Sequence, residues 1–141
     1  MKKILILGLM ALLTNALAEQ YPVEYFSIKE AMQSELFKKL DKNISFEFGT
    51  DSTNKNDIIV KGAQTKRGAK IGDRSNKEAC NEALYEALLR FQKRAIKENS
   101  TKVINLIGYA YKENHDNKNT FQCVIVPNKK SLVYLRGDIA K

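Results

Sequence analysis

Ser75-Asn76-Lys77-Glu78-Ala79-Cys80-Asn81-Glu82-Ala83-Leu84-Tyr85-Glu86-Ala87-Leu88-Leu89-Arg90-Phe91-Gln92-Lys93-Arg94-Ala95 is the strongest structural signal in this chain. It opens on Ser-x-x-Glu, a capping box in which hydroxyl and carboxylate satisfy the N–H groups left free at a helix start. Ala79, Cys80, Ala83, Leu84, Ala87, Leu88, Phe91 and Ala95 then recur at helical spacing, which predicts one amphipathic helix running from Ser75 to Asn99. Lys77, Glu82, Glu86, Arg90, Lys93 and Lys97 fall on the other side, with Glu86 and Arg90 spaced for an i,i+4 ion pair. An apolar stripe so rich in alanine lets a helix backbone lie close against a sheet.

The sheet is legible on both sides of this helix. Downstream, Val103 to Tyr111 reads as a strand with Ile104, Leu106, Gly108 and Ala110 on one face. Thr120 to Val126 reads as its hairpin partner, with Phe121, Cys123 and Ile125 inward and a long polar tip over 112–119. Pro127-Asn128 ends that strand, and Leu132 to Arg136 supplies a last short one. Upstream, a second capping box, Ser27-x-x-Glu30, precedes Ile28, Met32, Leu36 and Leu40, predicting a short helix over 27–40. Ile44, Phe46 and Phe48 alternate with polar residues, a half-buried strand over 43–49, and the polar stretch 50–57 reads as a loop. Asp57 to Lys61 is a further strand candidate. The basic, glycine-containing stretch 62–74 reads either as a strand with a turn or as a mobile loop. Gly62, Gly68 and Gly72 are too widely spaced for a phosphate-cradling loop.

At the N-terminus, Lys2-Lys3, the apolar run Ile4 to Leu13 and Ala16-Leu17-Ala18 have the order of a secretory signal peptide, with Glu19 as the first mature residue. The run is shorter than the roughly 20 apolar residues a membrane-spanning helix needs. The competing readings are an uncleaved anchor or a buried N-terminal helix. The double-lysine start fits a bacterial signal, and so the Gram-negative periplasm, with no stable membrane anchor after cleavage. The domain plan is therefore a signal peptide at 1–18 and one α+β domain at 19–141.

The two cysteines of an exported chain, Cys80 and Cys123, then form one expected disulfide. Cys80 lies on the inner face of the long helix and Cys123 among the inward residues of a strand. The bridge would staple helix to sheet. The expected fold is a small antiparallel sheet carrying one long helix, plus the short N-terminal helix. The net charge of +8 falls to +6 once Lys2 and Lys3 are removed. Lysine far outnumbers arginine and the basic residues are scattered, so nucleic acid is not an expected partner.

Reactive chemistry is sparse. His115, with Glu113 and Asp116 nearby, is a weak metal candidate, because zinc sites converge three or four ligands and this is the one histidine. No nucleophile motif occurs, a Cys–His enzyme would need Cys80 or Cys123 free, and the expectation is a non-enzyme with no cofactor. Tyr109 and Tyr111 lie opposite the small inward residues of their strand. They read either as a contact surface or as packing against the N-terminal helix.

The run Ser75-Asn76-Lys77-Glu78-Ala79-Cys80, the helix Ala87 to Ala95, Val103-Ile104-Asn105-Leu106, Tyr109, Tyr111, Phe121-Gln122-Cys123, Gly137-Asp138 and the upstream Phe46-x-Phe48-Gly49 together resemble a family of small exported proteobacterial proteins. That family is often labelled "excinuclease ATPase subunit". The label does not suit these residues, since the chain has neither a P-loop nor a C-x-x-C pair and is no DNA-repair ATPase. More distantly, the Cys–helix–strand–Cys–strand order is similar to YbjQ-like domains and to the lipoprotein sensor of the Rcs envelope-stress system. The likeness implies a helix-on-sheet fold and an interaction role with an envelope protein, in maintenance or stress. The alternative is a periplasmic protein binding a small ligand or metal through the 112–119 loop or the basic 61–74 segment.

Overall fold

The computed structural model describes residues 20–50 and 57–141. The signal-peptide reading, the cleavage point at Ala18 and Glu19, and most of the 50–57 loop lie outside them. β1 (Val23–Ser27) runs directly into a short helix, α1 (Ile28–Met32), which is followed by a 3-10 turn at Glu35–Lys39. Next come β2 (Ser45–Phe48), β3 (Ile58–Lys70), the long helix α2 (Asn76–Lys97), β4 (Lys102–Gly108), β5 (Thr120–Val126) and β6 (Lys130–Ala140).

β6 organises the sheet. β3 pairs antiparallel along one of its edges from Lys130 to Ala140. Along the other edge, β5 pairs with the first residues of β6 and β4 with the last ones, so β4 and β5 lie end to end. β1 extends the sheet beyond β5, and β2 extends it beyond β4. Every pairing is antiparallel except β2 with β4, which is parallel.

Helix α2 covers one face of this sheet, and its start and stop are both written locally. The Ser75 hydroxyl accepts the Glu78 N–H at 3.1 Å. At the far end Asn99 takes a positive φ of 55°. The Ser100 N–H then bonds the Ala95 carbonyl at 2.8 Å and the Asn99 N–H bonds Ile96 at 3.1 Å, a Schellman closure. Ala79, Ala83, Ala87 and Ala95 are all fully buried, as the close approach of helix to sheet requires. Ser131 of β6 makes the contact explicit by donating its hydroxyl to the Ala79 carbonyl at 2.8 Å. Val133, Leu135 and Ile139 of β6 join Leu84, Leu88 and Phe91 of α2 in the main core. The Cys80–Cys123 disulfide joins α2 to β5 with its Cα atoms 6.0 Å apart.

Four local expectations are corrected. The hairpin of 103–111 with 120–126 does not form, because β4 and β5 each pair with β6 rather than with one another. The last strand, expected over 132–136, runs from Lys130 to Ala140 as the full-length partner of β3. The helix over 27–40 stops at Met32, because Ser34 is extended and starts a separate 3-10 turn. Of the two readings of 62–74, the strand is the one observed, as far as Lys70 within the thirteen-residue β3. The strand over 103–111 ends at Gly108 and its apolar faces are reassigned. Asn105 has φ 55° and a register shift separates Ile104 from Ile107, a β-bulge. Val103 and Leu106 therefore enter the core under α2, while Ile104 and Ile107 are buried outside that cluster.

Candidate functional site

The far face of the sheet, opposite α2, is built from the alternate residues of each strand. Leu132, Val124, Val126 and Ala110 form a second apolar cluster there, flanked by Tyr111, Tyr134 and Val23. Tyr111 is half-buried and its hydroxyl accepts the Tyr21 N–H at 2.7 Å. Tyr109 packs edge-on against Tyr134, with ring centroids 5.7 Å apart. Its hydroxyl donates to the Thr65 carbonyl of β3 at 3.2 Å. Burial raises the Tyr109 pKa above its ordinary value, the neighbouring Tyr134 raises it further, and Lys66 and Arg136 pull it down. Both tyrosines thus pack on this face, whereas Ile28 and Ala31 of α1 belong to the core on the other side.

The 112–119 loop is tied down onto the same face. Gly108 and His115 exchange both backbone hydrogen bonds, at 3.1 and 2.8 Å. The His115 ring lies 4.6 Å from the Tyr25 ring, and its Nε2 meets the Thr120 hydroxyl at 3.0 Å. Gln122 occupies the gap where β4 and β5 diverge, its side-chain oxygen accepting the Ala110 N–H at 3.0 Å. A Cβ on Gly108 would stand 2.7 Å from that oxygen and 3.1 Å from the Gln122 Cβ, so a larger residue there would have to displace the Gln122 side chain. His115 acts here as a clasp, and among the described residues no three His, Cys, Asp or Glu side chains converge on a metal-sized site.

Farther along β6, the buried carboxylate of Asp138 joins three strands. One oxygen accepts the Gly62 N–H of β3 at 2.7 Å. The other accepts the Asn105 side-chain amide of β4 at 2.9 Å. Gly62 has φ 68° and marks a register shift in β3, so the carboxylate holds a bulge on either side. Beside it opens a cavity of about 380 Å³, rimmed by Thr50, Lys61 and Arg136. Thr50 reaches from the end of β2 to the Asp116 carboxylate, and Arg136 reaches to Asn114 at 3.3 Å. Both oxygens of Asp138 are committed to protein donors, which makes its role here structural.

A second concave feature lies at the border of the sheet. β3 pairs with β6 alone, so its other edge is unpaired among the described residues. A groove of about 390 Å³ runs between this edge and α2. Its strand wall is Ala63, Gln64 and Thr65, and its helix wall is Phe91 with Arg90, Lys93, Arg94 and Lys97. Successive strand side chains point to opposite faces. Three consecutive residues therefore line one groove only along the strand's edge, where the backbone itself is presented. Arg94 pairs with Glu98 at 3.1 Å, whereas Arg90, Lys93 and Lys97 carry no ion pair among the described residues. The Glu86–Arg90 pair expected from spacing does not form. The helix is bridged elsewhere, by Glu82 to Arg74 at 2.6 Å and by Lys77 to Glu30 at 2.5 Å.

The sequence pointed to one wall at most, through the basic 61–74 segment, because the two walls are adjacent only after β3 joins the sheet. The basic residues of α2 were legible as a solvated face, and β3 was legible only in part. No protein-family model, no curated protein and no solved structure matches this chain. No helix among the described residues is long and apolar enough to cross a membrane. The disulfide fits an oxidising compartment.

Proposed function

We propose that the mature chain, residues 19–141, is a non-enzymatic periplasmic protein that binds another envelope protein, in envelope maintenance or stress. The observation that carries this reading is the unpaired edge of β3 beside the basic wall of α2. An unpaired strand edge presents N–H and C=O groups ready to pair with another chain. The signal-like N-terminus and the disulfide support the location. The resemblance to small exported proteobacterial proteins and, more distantly, to YbjQ-like domains and the Rcs sensor supports an interaction role.

The test is a photo-crosslinking amino acid placed at Gln64, and separately at Tyr25, in protein expressed in a Gram-negative periplasm. Intact mass is read before irradiation. The expected result is a mass for residues 19–141 less two hydrogens, and one discrete adduct with a second protein. A full-length mass or two free thiols overturns the periplasmic assignment. The absence of any discrete adduct from either position overturns the partner-binding one.

A second reading, a small-ligand protein, draws on the cavity beside Asp138, where Lys61 and Arg136 set positive charge against a polar wall.

A further inference from the structure

We infer that the groove between β3 and α2 receives an extended acidic segment of the partner protein, added to the sheet as a strand along the free edge of β3. The inference rests on the partner-binding reading above and names the chemistry of what is bound. Two features define the occupant. The edge offers backbone, which an extended peptide pairs with irrespective of its sequence. The helix wall offers Arg90, Lys93 and Lys97 without a carboxylate partner among the described residues, and Arg94 beside them. A strand laid along β3 turns alternate side chains toward α2, so carboxylates at every second position would meet this basic wall.

The charge on β3 also disfavours the most obvious competitor, a second copy of this chain. Lys61, Lys66 and Lys70 are exposed along the strand. Lysines on an edge strand oppose edge-to-edge pairing of like chains, and two copies of β3 would set these lysines against one another. An acidic strand reverses the sign of that interaction. Phe91, nearly fully buried at 3 % exposure, is the one apolar residue in the helix wall of the groove.

The probe is a fluorescently labelled ten-residue peptide alternating Glu and Val, titrated with the disulfide-bonded mature protein. Controls are its lysine counterpart and a version interrupted by proline. The expected result is saturable binding by the acidic peptide alone, weakened by salt, with slowed amide exchange at Ala63 to Thr65. Replacing Arg90, Lys93 and Lys97 together by Gln is expected to weaken binding about tenfold, the sum of three partly screened charge contacts. These side chains are exposed, so the variant keeps its fold. Replacing Lys42, Lys112 and Lys129 by Gln removes the same charge elsewhere and is expected to leave binding unchanged.

Absence of binding, equal binding by the lysine peptide, or an equal loss in the control variant overturns the inference. So does tighter binding of phosphatidylglycerol vesicles that needs Arg90, Lys93 and Lys97 yet leaves the β3 amides unprotected, since that selects a membrane surface. A cross-linked partner obtained from Tyr25 without peptide binding rejects the acidic strand while keeping the partner. Loss of adducts at both positions rejects both.

Discussion

The Tyr109 phenol shows how one residue senses its neighbours. Burial, with the neighbouring Tyr134, makes it hold its proton more tightly than an ordinary phenol, whose pKa is 10.0. A group whose folded pKa is raised contributes stability that is complete below the unfolded pKa and is lost as pH rises through the folded one. The stability advantage of the wild type over Tyr109→Phe is therefore expected to be constant up to about pH 9 and to shrink above pH 10. Urea denaturation of both proteins across that range checks it, and a constant or growing gap would contradict the assignment. Glu30 has the opposite sign. Lys77 donates to it and lowers its pKa below 4.5, so its contribution is lost as pH falls. Ser27 was legible as a cap and does accept the Glu30 N–H at 3.2 Å. The Glu30 carboxylate was expected to return to the same helix start and instead crosses to α2, because a cationic partner outweighs a local N–H.

At the level of elements, β6 and its two bulged neighbours act as a unit around Asp138. Asp138→Ala would leave the Gly62 N–H and the Asn105 amide without their acceptor. The expected loss is about 1–3 kcal/mol, the cost of stranding polar groups in a largely buried site. Asp138→Asn keeps one acceptor oxygen and is expected to fall between the two. Denaturant midpoints separate these outcomes, and a neutral Asp138→Ala would show that water replaces the carboxylate at both bulges. The same elements explain which strands could be read. α2 was readable because caps, periodicity and stop signal all agree within one segment. β4 carried two apolar pairs, Val103-Ile104 and Leu106-Ile107, on either side of Asn105, and simple alternation assigned its faces wrongly. The bulge that swaps them is held by a side chain more than thirty residues away, Asp138, with a sequence separation of 33. β3 was doubtful because glycines at Gly62 and Gly68 weaken a strand by themselves. It forms because β6 pairs with it almost end to end.

For the molecule as a whole, the disulfide ties the helix layer to the sheet layer over a separation of 43 residues. Closing a loop of that size restricts the unfolded chain by about 4 kcal/mol in the entropy model. Replacing Cys80 and Cys123 together by Ala is expected to lower unfolding free energy by about 2–4 kcal/mol, read as a fall in denaturant midpoint with little change in slope. An unchanged midpoint would show that the buried contacts of α2 suffice without the bridge. Residue types and short-range periodicity determined, without reference to any fold, that a long capped helix exists, which face it buries, and that Cys80 and Cys123 occupy inward positions. Those properties depend on neighbours within a turn or two along the chain. Tertiary pairing alone set the central position of β6, the bulges at Gly62 and Asn105, the clasp of His115 on Tyr25, and the groove between β3 and α2. Each of these depends on groups brought together from distant parts of the sequence, and alternation marks a strand without marking which strand it pairs with.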